Sequence, residues 1–310
     1  MEALPDNPIL EINPNTLRDV RRQFHLDDVT KIHESVDLIE AWLQKQEHHV
    51  KKDYPRSHLE RAIIFNKGSV ERAKVKIDNI CKFRALLPQY FGKYERKDKL
   101  KYPDIVDALL PRLTPDHERV YFLCNRHKKF NDGLFYYFKY TLCLAQYMQA
   151  HDYNNGFILV CDYMDADIYE LFKAINIVEL KQTMTIITEG YCMRIKGVHI
   201  LSKNRGIDMI VKIFKQVLSE KLSDRIMVHK TLDTLYDFVP RRVLPIEYGG
   251  TEKSLETLCE NNLNEITSAA FEEYLEETSK AVTIEKLRLD KDSNTEFTGL
   301  SGTFRSLTID

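Results

Sequence analysis

The chain has 310 residues, 43% apolar and 10% aromatic, with 45 basic against 47 acidic side chains and a formal net charge of −2. That length supports a full hydrophobic core and about two domains, and the composition is globular rather than disordered. The balanced charge excludes a general nucleic-acid binder, which carries a strong basic excess. Met1-Glu2-Ala3-Leu4-Pro5-Asp6-Asn7 lacks the basic and apolar regions of a signal peptide, and no run reaches the roughly 18 apolar residues of a membrane-spanning helix. Cys81, Cys124, Cys143, Cys161, Cys192 and Cys259 form no C-x-x-C pair. Most sit in apolar stretches, so reduced, buried thiols and a cytosolic location are expected.

In chain order, Asn13-Pro14-Asn15 marks a turn before a short helix. Val29, Ile32, Val36, Leu38, Ile39, Trp42 and Leu43 recur at helical spacing until the polar run 44–56. Leu59, Ala62, Ile63 and Phe65 form a second helical pattern that stops at Gly68. Ser69 is placed as the N-cap of a third, over 70–87, ended by Pro88. Residues 93–101 read as a charged linker. After Pro115 strands and helices alternate. Val120–Cys124 is a short strand-type run, and 131–149 is a tyrosine-rich helix. Asn154-Asn155-Gly156 turns into Phe157-Ile158-Leu159-Val160-Cys161, apolar throughout as in a strand covered on both faces. A helical region over 168–190, a strand over 194–201, a helix over 206–220 and a strand at Ile226-Met227-Val228 complete an α/β layer with crossovers. Residues 254–279 predict an acidic helix or helix pair, and Phe304, Leu307 and Ile309 are placed to pack back on the body.

The helix over 206–220 has too much apolar surface. Ile207, Met209, Ile210, Val211, Ile213, Phe214, Val217 and Leu218 cover an arc of roughly 200°, where a surface helix needs little more than about 100°. It needs a second apolar partner: a bound lipid, a membrane or another chain. Arg194 and Lys196 share one strand face beside it, and Lys221 and Arg225 share one helix face. Basic residues flanking an over-apolar helix suit anionic membrane surfaces, although Glu220 and Asp224 partly offset them. On the tyrosine-rich helix, Tyr136, Tyr140, Cys143 and Tyr147 share a face that fits either packing on the sheet or lining a cavity for an apolar ligand.

Catalytic and metal motifs are missing. G-x-G-x-x-G, G-x-x-x-x-G-K-[ST] and G-x-S-x-G do not occur. His48-His49 reads as a surface pair in a polar turn, so no metal is expected. Cys161, Asp162 and His199 lie in or beside apolar strands and read as buried structural residues. A non-enzymatic binder is the leading reading. A membrane-recruited, lipid-sensing regulatory adaptor is the alternative, and a lipid-ester hydrolase has no motif behind it.

Three stretches together carry a family resemblance: Arg194-Ile195-Lys196-Gly197-Val198-His199-Ile200, then Leu218-Ser219-Glu220-Lys221-Leu222-Ser223-Asp224-Arg225-Ile226, then Leu244-Pro245-Ile246-Glu247-Tyr248-Gly249-Gly250. In this order they resemble the CRAL-TRIO lipid-transfer family, in its tocopherol- and retinaldehyde-binding branch. Trp42-Leu43 and Ser69-Val70-Glu71-Arg72-Ala73-Lys74 are similar to the family's helical N-terminal region, and Gly302-Thr303-Phe304-Arg305-Ser306-Leu307 to the closing segment of insect members. Two departures stand out. Ser202-Lys203-Asn204-Arg205 lacks the family's proline, and Asp165 replaces a usual glycine.

The resemblance implies an α/β fold: a helical subdomain over 1–95, a lipid cage with a mostly parallel sheet and a mobile gate helix over 96–253, and a C-terminal helical segment and tail over 254–310. The gate would be Gly206–Leu218, contacting ligand through Ile207, Ile210, Val211 and Phe214. Ile186, Ile187, Ile195 and Val198 match family cavity residues by position. The expected ligand set is completed by Tyr136, Tyr140, Cys143 and Tyr147 on the tyrosine-rich helix and by Phe157, Leu159 and Cys161 on the apolar strand. Arg194, Lys196, Lys221 and Arg225 coincide with positions through which tocopherol-binding members engage phosphoinositide head groups. The implied ligand is a tocopherol, retinoid, carotenoid or terpenoid hormone, with no cofactor. The implied state is a cytoplasmic monomer in transient peripheral contact with phosphoinositide membranes.

Overall fold

Residues 6–288 are described by the computed structural model, so the tail carrying Phe304, Leu307 and Ile309 lies outside the described residues. Five α-helices precede the first strand. α1 (Thr16–Gln23) follows the expected turn, and α2 (Val29–Lys45) is capped by the Asp28 side chain, which accepts from the Thr30 N–H. α3 (Arg56–Phe65) starts at Pro55, and α4 (Val70–Leu86) is capped by Ser69 accepting from the Arg72 N–H. Val20, Ile32, Val36, Ile39, Leu43, Leu59, Ile63 and Ile77 close a core among these helices. α4 serves two cores, since its Ile80, Cys81 and Phe83 pack into the α/β layer. The stretch expected as a linker holds a short helix, α5 (Arg96–Lys99).

Five strands form one sheet in sequence order. β1 (Ile105–Leu109) runs antiparallel to β2 (Arg119–Asn125); α6 (Phe135–His151) then leads to β3 (Phe157–Asp162). α7 (Ile168–Ala174), α8 (Ile177–Thr185) and a single π turn (Ile186–Gly190) replace the one helical region expected before β4 (Ile195–Leu201). A Cβ on Gly190 would meet Ile80 Cδ1 at 2.9 Å, so the glycine lets the π turn seat on α4. α9 (Ile207–Val217) and α10 (Glu220–Ser223) lead to β5 (Ile226–His229) and α11 (Leu232–Tyr236). α12 (Leu255–Ile266) and α13 (Ala269–Ser279) are the expected acidic pair.

β2, β3, β4 and β5 pair in parallel, with Tyr121 opposite Leu159, Leu159 opposite Val198 and Val198 opposite Ile226. Both faces are covered, which is why β3 is apolar at nearly every position. One face packs on α6, α7 and α8. On the other, Val120, Phe122, Ile158, Val160 and Leu201 meet Leu235, Val239, Val243, Leu244 and Tyr248. All six cysteines are unpaired and buried. Among the described residues, no helix is long and apolar enough to cross a membrane.

Candidate functional site

Between the sheet and helices α6, α8 and α9 lies a cavity of about 140 Å³. Leu123 and Tyr121 of β2, Phe157, Leu159 and Cys161 of β3 and Ile195 of β4 form its floor. α6 contributes Tyr137, Phe138, Thr141, Leu144, Ala145 and Met148, and Phe214 closes it from α9. The walls are almost wholly apolar, as in sites that hold hydrophobic ligands. A cavity of roughly 150 Å³ admits a benzene-sized ring. A longer ligand therefore requires a wall to move.

Phe157, Leu159, Cys161, Ile187, Ile195 and Phe214 were expected at such a site and do line the cavity. Ile186, Val198, Ile207 and Ile210 are buried in the same core but lie behind its surface, and Val211 is half-buried against that core. Tyr136, Tyr140, Cys143 and Tyr147 are placed elsewhere, because α6 turns its other face to the sheet. Lys101 Nζ sits 3.3 Å from the Tyr136 ring centroid, and Tyr140 packs edge-on against Tyr94. The Cys143 thiol faces the Gly92 carbonyl, and the Tyr147 hydroxyl accepts from Asn7 Nδ2 and donates to Glu265. Burial pushes the Cys161 thiol up to about 12, so it stands in the wall as a protonated, unreactive side chain.

α9 is held loosely for so apolar a helix. Only Ile207 and Ile210 are fully buried, while Met209, Val211, Ile213, Phe214 and Val217 are half-covered. It rests on α7 and α8. Those helices expose apolar side chains nearby: Tyr169 is 62% exposed and Ile177 43%, with Phe172 and Val178 also outward. No proline shapes the approach to α9. Instead Asn204 accepts from the Gly206 N–H through Oδ1 at 2.8 Å, an Asx turn that starts the helix.

The basic residues behave as two kinds. Arg194 is partly buried with its Nε and Nη2 unpartnered, and Cζ lies 4.5 Å from the Phe24 ring centroid. Burial lowers its guanidinium to about 10, against the pull of Glu118. Some desolvation and repulsion from Lys221, Arg194, Arg72 and Lys196 hold the ammonium of the exposed Lys67 below its ordinary range. Lys196 reaches Glu118 at 3.3 Å. Arg225 instead turns Nη1 onto the Ile195 carbonyl. Lys67 was missed in the sequence because it sits at a helix end more than a hundred residues from Arg194, in the left-handed region at φ 57°. Gly156 has φ +129°, and a Cβ there would meet the Arg194 carbonyl oxygen at 2.6 Å, so glycine is required where β3 begins beneath this patch.

Two further features lie outside the cavity. A larger hollow of about 920 Å³ beside α3, α6 and α13 mixes Asp6, His58, Arg61, Glu265 and Glu277 with Ile12, Tyr54, Tyr153 and Tyr274. His48 and His49 are buried rather than on the surface, because both donate Nε2–H to Asp78 Oδ1, at 2.9 and 3.0 Å. Arg288 donates to the other Asp78 oxygen at 2.8 Å, and His48, His49 and Asp78 lie close enough together to hold a metal, with His49 Nδ1 left without a hydrogen-bond partner. Burial pulls the His49 imidazolium down, but hydrogen bonds to Asp78 and Cys81 outweigh it and hold it up at about 9. A raised folded value contributes stability below the unfolded pKa that is lost as pH rises through the folded one. Denaturant unfolding is therefore expected to show a loss on the order of 2–3 kcal/mol between pH 6.5 and 9, absent in His49→Gln. A flat profile there would contradict it.

Residues 115–250 match the sequence model of the CRAL/TRIO domain. The chain is 30% identical over 138 residues to the mouse (Mus musculus) protein "Alpha-tocopherol transfer protein-like", covering 44% of this chain and 39% of that protein. It is 29% identical over 143 residues to the human protein of the same description, covering 46% of this chain and 41% of that one. The match thus spans about two fifths of the length of these relatives. A solved structure described as "Crystal structure of Sfh5" aligns with TM-score 0.49 and 13% identity, covering 83% of this chain and 98% of that one. Over residues 115–250, less than half of its length, the chain is similar to the CRAL/TRIO domain family.

Proposed function

We propose that the protein binds one small hydrophobic, isoprenoid-like lipid in the cavity and releases it at phosphoinositide-bearing membranes, with α9 as the gate. The carrying observation is the apolar cavity itself, closed by a single α9 side chain, Phe214, on a helix whose wide apolar face is only half covered. Burying a hydrocarbon ligand there supplies about 25 cal/mol per Å². The same burial makes release slow unless something stabilises the open state. A bilayer can do so: α9 exchanges ligand contact for membrane contact beside the exposed Tyr169, Phe172, Ile177 and Val178.

Arg194, whose Nε and Nη2 have no hydrogen-bond partner, supplies charge-assisted donors for a lipid phosphate together with Lys67, Lys196 and Lys221. Arg225 supports the patch from the Ile195 carbonyl. The division into a helical region over 1–95, a cage over 96–253 and a C-terminal segment belongs to the same proposal, as does transient peripheral contact from the cytoplasm. Transfer of a fluorescent isoprenoid to liposomes tests the release step. Phosphoinositide in the acceptor liposomes is expected to speed transfer about tenfold or more, and Arg194→Ala/Lys196→Ala/Lys221→Ala to abolish that gain while transfer to neutral liposomes persists. Equal phosphoinositide dependence in the variant would overturn release through the patch.

A further inference from the structure

The few polar groups on the cavity wall have a direction. At the base, Asp107 is fully buried, and Lys99 donates to its Oδ1. The Tyr121 hydroxyl donates to Asp107 Oδ2. Having one proton, Tyr121 can only accept in its 2.9 Å hydrogen bond with the Tyr137 hydroxyl, so Tyr137 is the donor. Burial pushes both phenols well above their ordinary range, which keeps both protons in place. The relay therefore runs inward, from Tyr137 to Tyr121 to Asp107, and the Tyr137 oxygen is left with lone pairs alone. The threonines repeat the arrangement. Thr141 donates its hydroxyl to the Phe138 carbonyl and Thr183 to the Glu179 carbonyl, both at 2.8 Å. Burial likewise holds the Tyr163 phenol well above its ordinary range, so it keeps its proton. The amide donor on this wall is Asn125, whose Oδ1 is taken by the His127 N–H. It stands at the far end of β2, about 13 Å along the strand from Tyr121.

We infer that the cavity selects a ligand whose head group donates a hydrogen bond to Tyr137: an alcohol or phenol in preference to an ether, ester, aldehyde or ketone. A carbonyl head would set lone pair against lone pair in a desolvated site, whereas a hydroxyl completes the relay. The inference rests on the proposal that the cavity takes an apolar ligand, and names the head group of that ligand.

Calorimetric titration of the full chain with three ring-sized probes tests it: 2-naphthol, which donates; 2-fluoronaphthalene, similar in shape without a donor; and 2-acetylnaphthalene, which only accepts. In the wild type 2-naphthol is expected to bind about tenfold more tightly than 2-fluoronaphthalene. Tyr137→Phe is expected to bring that ratio to within about twofold. In Tyr121→Phe the Tyr137 proton is released toward the cavity, so 2-acetylnaphthalene gains relative to 2-fluoronaphthalene, a change that mere loosening of the wall would not produce. Binding of all three probes with a wild-type ratio near one, or a ratio unchanged by Tyr137→Phe, overturns the donor requirement and leaves the apolar cavity standing. Binding of none removes both.

Discussion

Replacing Asp152 with alanine is expected to lower folding stability by about 3–5 kcal/mol, measured by denaturant unfolding. Asp152 and Arg119 are both 0% exposed, and they meet in two hydrogen bonds of 2.8 Å each. The Arg119 guanidinium also donates to the carbonyls of Leu110, Pro111 and Glu11. One side chain thus ties the end of α6, the β1–β2 turn and the N-terminal segment together. Alanine would leave a guanidinium buried with carbonyl partners but no counter-charge. The pair is costly to break rather than strongly stabilising as a pair, so Arg119→Met/Asp152→Leu is expected to recover much of the loss. A change of under about 1 kcal/mol in Asp152→Ala would mean that water reaches the site.

The second large effect concerns the cavity. Ala145 lies on the α6 face that lines it and is buried. A tryptophan there fills most of a space of about 140 Å³ from a helix that stays in place. Ala145→Trp is expected to weaken binding of an isoprenoid at least a hundredfold, with an overpacking cost of about 1–3 kcal/mol in stability. A substitution of similar size on the opposite face, such as Lys139→Trp, is expected to leave binding within about twofold. Undiminished binding in Ala145→Trp would place the ligand elsewhere, with the larger hollow beside α3 as the first place to look.

Much of this architecture is legible in the residues. The apolar run of β3 announced a strand covered on both faces, Ser69 and Gly68 marked the joint between α3 and α4, and the excess apolar arc of α9 marked the helix that closes the cavity. β1 was hidden because its short run carries a charge, Asp107. That residue is buried only because Lys99 and Tyr121 come to it, which local patterning does not reveal. The face of α6 was ambiguous for a similar reason. Both faces are rich in tyrosine, and the choice is made by distant partners: Asn7 and Glu265 hold Tyr147, and Thr278 holds Gln146. His48 and His49 looked like a surface pair since neither Asp78 nor Arg288 is near in sequence.

The binding reading stands or falls on whether the cavity carries a ligand. Native mass spectrometry of the purified full chain, after exposure to a cellular lipid extract, measures this directly. The expected result is one hydrophobic adduct per wild-type chain and a bare mass for Ala145→Trp. A wild-type chain that stays bare, or an Ala145→Trp chain that carries the same load, would contradict it.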